Sequence, residues 1–322
     1  MPQKGRGAAA TRPLDAAEHF HTEQPLLCVA TDVRHEGLLC RACLSPLGLA
    51  ADHVRAAAPD LLESDELRPA LVSNEAQELC VAVASSCARC DARYCGSCVG
   101  RDAQKSHACA GLSALRDRWP KLVASPRFRL FVQALGRVVH GGEDAAAVAA
   151  AIESLCHPVL PGDGNALASA AMEAELAEPL ALLHCALVRE RLNEAQEGET
   201  AMETSAALGL VAAWCNPTGY RNFERRVATN AHGLRFASPA SAVLVAAMAA
   251  CPTLSAAAQD CVMWAVAGVG DDCELPFYCA TAVFAQASAL NHSCNPSAEV
   301  LSCERAELRM RCDFAQKRMV LY

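Results

Sequence analysis

Cysteines constrain this chain more than any other feature. Nineteen of its 322 residues are cysteine. In chain order stand Cys40-x-x-Cys43, Cys87-x-x-Cys90, Cys95-x-x-Cys98 and His107-x-Cys109. A two-residue gap lets both thiolates of a knuckle reach one metal ion, and these eight ligands suit two tetrahedral zinc ions. The stretch 87–109 surrounds its ligands with few large apolar side chains, too few for a core of its own. Structural zinc contributes about 10–16 kcal/mol of apparent binding energy to modules of this kind. A single site made of Cys87, Cys90, Cys95 and Cys98, or of another set of four, is the alternative. Cys80 and His53, within the 44–86 insert that follows the first pair, are substitute ligands or bystanders.

The rest of the chain is apolar enough to fold. Hydrophobic residues make up 52% and charged residues 20%. That excludes a mostly disordered chain and allows one large domain or two small ones. A net charge of −8 disfavours general binding to nucleic acid. The local Arg/Lys excess over 89–118 reads as a solvated face. No apolar stretch follows Met1-Pro2-Gln3-Lys4-Gly5, so no secretory signal is expected. The cysteines are then expected in a reducing compartment, cytoplasm or nucleus, as metal ligands or small buried hydrophobes. Cys185, Cys215 and Cys261 read as the latter. The longest apolar run, Ala240 to Cys251, stops at Pro252 and is too short to span a bilayer.

Periodicity separates the segments. Residues 1–39 read as short strands, including Glu18–His21 and Leu26–Ala30. Residues 112–200 read as helices. The clearest covers Ala171–Gln196, with Leu176, Leu180, Leu183, Leu187 and Leu192 near helical spacing and Gly198 as its stop. Asn216-Pro217 and Ala237-Ser238-Pro239 are turn signals.

Two further motifs flank the cysteine-rich module. Ser288-Ala-Leu-Asn291-His292-Ser293-Cys294-Asn295-Pro296 stands near the C-terminus. Lys4-Gly5-Arg6-Gly7 and Ala10-Thr11-Arg12-Pro13-Leu14 stand near the N-terminus. In this order, with the zinc module between them, they resemble the SET and MYND domain family of protein lysine methyltransferases. Phe223-Glu-Arg-Arg-Val-Ala-Thr-Asn230 is a weaker echo of the same family.

The resemblance implies an α+β fold: a split SET-type β fold with an inserted MYND zinc finger and a helical insert. Its parts would be the first SET segment at 1–39, the finger at 40–110, the helical region at 111–222 and the second SET segment at 223–322. Two structural zinc ions would sit on Cys40, Cys43, Cys87, Cys90, Cys95, Cys98, His107 and Cys109. Lys4, Gly5, Arg6, Gly7, Asn230, Asn291 and His292 would hold S-adenosylmethionine. Tyr322 is the candidate catalytic tyrosine of the lysine channel. The substrate would be a lysine on a histone or another protein, and the finger would take Pro-rich peptide partners.

The residues themselves leave alternatives open. Gly5 and Gly7 lack a Cβ and permit close backbone approach to a ligand, or they belong to a flexible terminus. Asn291–Pro296 is a binding segment or a polar turn. Asn230 contacts the cofactor or ends a helix. His292 is structural rather than a base.

The chain also departs from the family pattern. Ser297, not Asn, follows Pro296. Two residues separate Cys95 from Cys98 and one separates His107 from Cys109, where the family has three in each gap. After Leu308-Arg-Met-Arg, the family's Gly-Glu-Glu-Leu is replaced by Cys312-Asp-Phe-Ala-Gln-Lys-Arg-Met-Val-Leu-Tyr322. The SET domain is therefore expected to be truncated. A non-catalytic zinc-binding adaptor on a degenerate SET scaffold is the alternative function.

Overall fold

The computed structural model describes residues 19–57, 80–90, 92–99, 109–140, 144–155, 166–194, 201–240, 277–289, 298–302 and 308–312. In chain order come β1 (His19–Glu23), β2 (Leu27–Ala30), a 3-10 turn (Val33–Leu38), α1 (Ala50–Ala57), β3 (Val83–Ser86), β4 (Arg93–Cys95) and α2 (Gly96–Val99). Next are α3 (Cys109–Arg116), α4 (Pro120–Ala124), α5 (Pro126–His140), α6 (Asp144–Ser154), α7 (Ala166–Glu194), α8 (Ala201–Trp214) and α9 (Pro217–Asn230). The chain closes with β5 (Ala231–Ala237), β6 (Phe277–Val283), a second 3-10 turn (Ala287–Ala289), β7 (Ala298–Ser302) and β8 (Leu308–Cys312). This is an α+β arrangement with its helices gathered in the middle of the sequence. Among the described residues, no helix is long and apolar enough to cross a membrane.

Helix α5 is the centre of the helical part. Phe128 through Gly136, Val138 and Val139 are all buried. Phe131 meets Tyr220 and Phe223 of α9 edge to face, with ring centroids 5.1 and 5.2 Å apart. The turn signal at Asn216-Pro217 is the start of α9. Asn216 caps it by accepting from the Gly219 amide, and Pro217 occupies the first turn. The expected division between 222 and 223 falls inside α9. Leu176, Leu180, Leu183 and Leu187 of α7 are buried as their spacing implies. Leu192 is not, at 59% exposed. The stripe instead continues onto Glu190 and Arg191, which are buried. Cys215 is buried, as expected of a small core residue, but Cys185 is exposed. It sits on the outward face of α7, two positions from buried Leu183 and Leu187. Cys261 and Gly198 lie outside the described residues.

Strands from opposite ends of the chain pair with each other. β1 runs antiparallel to β8, with His19 opposite Arg311 and Glu23 opposite Leu308, and β8 continues to β7. The second sheet has the order β2-β6-β5, all antiparallel. Leu27 and Val29 turn one face of β2 toward the helical core, together with Val283 of β6. Cys28 and Ala30 turn the other face toward Leu39, Leu44, Ala282 and Phe284. All four residues of β2 are buried, so the strand is covered on both sides.

Among the described residues, the other edge of β2 has no strand partner. The polar residues of α5 meet it. Arg129, Gln133 and Arg137 recur every fourth position and so share one face of the helix. Gln133 Oε1 accepts from the Cys28 amide at 2.8 Å. The Arg129 guanidinium donates to the carbonyls of Ala30 and Thr31 at 2.6 and 2.9 Å. It also donates to Glu36, in the turn after β2, at 2.5 Å. Glu36 pairs in addition with Arg41. Burial alone would raise the Glu36 carboxyl, but Arg41 and Arg129 outweigh it and hold it below the usual range.

Arg129→Met keeps the volume of a fully buried side chain but strips two carbonyls and Glu36 of their donor. The expected loss is roughly 3 kcal/mol or more in urea unfolding of the zinc-loaded chain. Arg127→Met, on the exposed face of the same helix, changes stability by no more than about 0.5 kcal/mol.

Candidate metal centres

The finger has little apolar core of its own: Leu47 and Tyr94 are buried together with Cys40, Cys95 and Cys98. Its geometry comes from tight backbone turns. The Cys40 amide donates to the Ser45 carbonyl, and the Leu44 amide to the Cys40 carbonyl, both at 2.8 Å. Leu44 has a φ of 58°, a left-handed conformation costly for a branched residue. Its burial among Leu39, Ala282 and Phe284 offsets that cost. The turn brings Cys40 and Cys43 onto one point. Cys95 ends β4 and Cys98 lies on α2, and the Cys95 amide donates to Cys40 Sγ at 3.4 Å. The second knuckle turns back after β3, where the Cys87 amide donates to the Ala92 carbonyl at 2.8 Å. Cys109 is the first residue of α3, which packs on α7 so closely that a Cβ on Gly111 would collide with the Leu183 side chain.

Two sets of thiols result. Cys40, Cys43, Cys95 and Cys98 form one, and Cys87, Cys90 and Cys109 the other. Within each set all sulfurs lie within 4.8 Å of one another. Cys43 Sγ is 3.8 Å from Cys95 Sγ, and Cys87 Sγ is 3.7 Å from Cys109 Sγ. A tetrahedral zinc with bonds of about 2.3 Å puts its sulfurs about 3.8 Å apart. The donor sets therefore fit two zinc ions. The sets interleave along the chain, the first pair closing with the third and the second with Cys109.

The alternative of one site from Cys87, Cys90, Cys95 and Cys98 does not hold, because β4 and α2 carry the last two thiols away to the Cys40 pair. Cys80 belongs to neither set. His53 is also a bystander. Its Nε2–H donates to the Leu47 carbonyl at 2.9 Å, and its Nδ1 faces the Tyr278 hydroxyl. Burial lowers its pKa, so the ring stays neutral and Nδ1 accepts.

The electrostatics of the four-thiol set favour a dication. Cys40 donates a hydrogen bond to Cys43, which, with Ser45, holds the Cys43 thiol down to about 4. The same bond pushes Cys40 up, and burial with the neighbouring Cys43 charge pushes Cys98 up to about 12. Sharing a bond with Cys90 likewise raises Cys109. Crowded thiols of this kind ionise together only around a positive charge.

Both sets are tied to the rest of the fold. Arg41, between the ligands of the first knuckle, joins Glu36 and through it Arg129. Arg89, between the ligands of the second, pairs with Glu190 of α7 at 2.6 Å. Sequence reasoning missed these links. The signal available was a charged residue inside each Cys-x-x-Cys and the four-residue recurrence of polar positions in α5.

Of the residues assigned to S-adenosylmethionine, Asn230 is described. It is the last residue of α9, buried, with its Nδ2 donating to the Arg226 carbonyl at 2.7 Å. Its own carbonyl accepts from the Ser288 hydroxyl at 3.2 Å. Lys4, Gly5, Arg6, Gly7, His107, Asn291, His292 and Tyr322 lie outside the described residues. Compared with models of known protein families, the chain matches none, and no curated protein matches it.

Zinc analysis of the purified chain should find two equivalents. Cys43→Ser and Cys95→Ser should release one and the same ion, Cys87→Ser the other, and Cys80→Ser neither. Release of a common ion by Cys87→Ser and Cys95→Ser would restore the single-site arrangement.

Proposed function

We propose that this chain is an S-adenosylmethionine-dependent protein lysine N-methyltransferase of SET type, carrying a MYND zinc finger. The observation that carries the reading is the finger's place in the fold. Two interleaved thiol sets loop out between β2 and α3, while β1 and β2 return to pair with β8 and β6 from the far end of the chain. This pairing supports the reading, in which the order of the motifs implies a split SET domain. Asn230 and Ser288, from two motif-bearing segments, also lie in contact.

In this reading the zinc ions are structural. S-adenosylmethionine supplies the methyl group, and the chain's own residues bind it and align a neutral lysine amine for in-line displacement. Alignment of this kind lowers a barrier by about 7–11 kcal/mol without a metal at the reacting centre. Asn230, with Lys4, Gly5, Arg6, Gly7, Asn291 and His292, would hold the donor, and Tyr322 would line the lysine channel. The substrate would be a histone or other protein lysine.

One observation favours a second reading, a zinc-dependent adaptor. Leu49, Val81, Val83 and Val99 of the finger are exposed, and exposed apolar side chains grouped on one module suit a Pro-rich peptide partner.

The test is transfer of a labelled methyl group from S-adenosylmethionine to a histone mixture by the purified, zinc-loaded chain. Labelled lysine supports the methyltransferase. Absence of both transfer and donor binding in calorimetry overturns it in favour of the adaptor.

A further inference from the structure

We propose that a cleft in the helical part is a binding site for a small monocarboxylate with a flat apolar body. The cleft measures about 240 Å³ and lies where α6, α8 and α9 meet. That is below the roughly 300–1,000 Å³ of sites for drug-sized ligands, so its occupant is small. Ile152, Trp214 and Phe223 are buried and give it an apolar wall. The Trp214 and Phe223 rings stand 6.5 Å apart, tilted by 43°. Gly219, Asn222, Phe223 and Arg226 recur at helical spacing and so present one face of α9 to the cleft. Gly219 lets this face close on the end of α8: a Cβ there would stand 2.5 and 2.6 Å from the carbonyl oxygens of Ala213 and Trp214. Close packing of the helices, rather than a ligand, sets the shape of the cleft.

Arg226 gives the cleft its ligand chemistry. Its Nε is buried and, among the described residues, has no hydrogen-bond partner. A buried donor left in that state costs about 1–3 kcal/mol. Carboxylates on and around α9 are engaged elsewhere: Glu173 with Arg221 at 2.8 Å, and Glu224 with Arg127 at 3.5 Å. Glu153 lines the same cleft, but it is exposed and makes no ion pair with Arg226. The missing acceptor therefore comes from outside the described chain. A guanidinium presents Nε–H and Nη–H as a fork that the two oxygens of a carboxylate accept in parallel. The Asn222 amide, one turn earlier on the same face, adds a further donor. A flat apolar body lies against Trp214 and Phe223. The Glu153 charge disfavours a second negative charge on the ligand, which selects a monocarboxylate over phosphate.

Calorimetric titration of the zinc-loaded full chain with benzoate tests this. Benzoate should bind, and benzamide, which has the same ring without the charge, should bind about tenfold more weakly or worse. Inorganic phosphate, which has charge but no apolar body, should also bind more weakly than benzoate. Arg226→Met keeps an apolar stem and should weaken benzoate about tenfold or more. Arg226→Lys keeps the charge without the fork and should weaken it less. Zinc content and helical circular dichroism of both variants should match the wild type. Equal affinity of the wild type for benzoate and benzamide overturns the carboxylate site, whatever the variants do. Benzoate binding that survives Arg226→Met overturns it too, as does tighter binding of phosphate. A wild-type chain that binds no benzoate also overturns it. None of these outcomes bears on the methyltransferase reading.

Discussion

The fold depends on how β2 is sealed. This four-residue strand is covered above by helices, below by the knuckle of the finger, and along one edge by β6. Its other edge would leave a buried amide and a buried carbonyl without partners, and each such group costs about 1–3 kcal/mol. The polar face of α5 removes that cost. A helix buried along almost its whole length keeps Arg129, Gln133 and Arg137 because a strand lies against them. Arg129 brings a charge into the interior, and Glu36 balances it. Glu36 in turn answers Arg41 of the finger. The helical core, the sheet and the first knuckle therefore meet at a single carboxylate.

The finger follows from the same economy of apolar material. With Leu47 and Tyr94 as its main buried bulk, it takes its shape from sulfur geometry and from arginines placed between the ligands. Arg41 reaches toward the sheet and Arg89 toward α7. The surface-exposed part of the Arg89 pair contributes modestly, but Glu190 itself is buried, so the pair fixes where the knuckle lies. The two thiol sets share the β3–β4 ribbon, with Val83 opposite Cys95 and the second knuckle at its turn. Neither set can shift without moving the other.

Much of this was legible in the sequence. The thiol ligands stood out by spacing, short strands were expected at Glu18–His21 and Leu26–Ala30, close to β1 and β2, and the long helix stood out by its leucines. Spacing could not say which thiols share a metal, because that is decided by the turn at Leu44 and the hairpin between Ser86 and Arg93. The leucine stripe misled at Leu192, since a helical face continues at every third or fourth position and the next buried places belong to Glu190 and Arg191. Cys185 was read as core from residue type alone, although its position between buried leucines puts it on the outer face. The bonds from the Gln286 and Ala287 amides to the Glu23 carboxylate carried no signal at all. An acidic residue before a Gln-Pro turn looks ordinary until the far end of the chain folds back onto it.

Interleaving also dictates an order of assembly on the ribosome. The Cys40 pair emerges first but has no partner until Cys95 and Cys98 are made, and Cys87 and Cys90 wait in turn for Cys109. The first two strands wait much longer, because β6 and β8 are synthesised long after them. Until then the nascent chain holds a bare apolar strand beside a finger that can already have closed. Such late, long-range pairing is slow and exposed to aggregation, and a finger that closes early would cover one face of β2 while the rest of the sheet is being made.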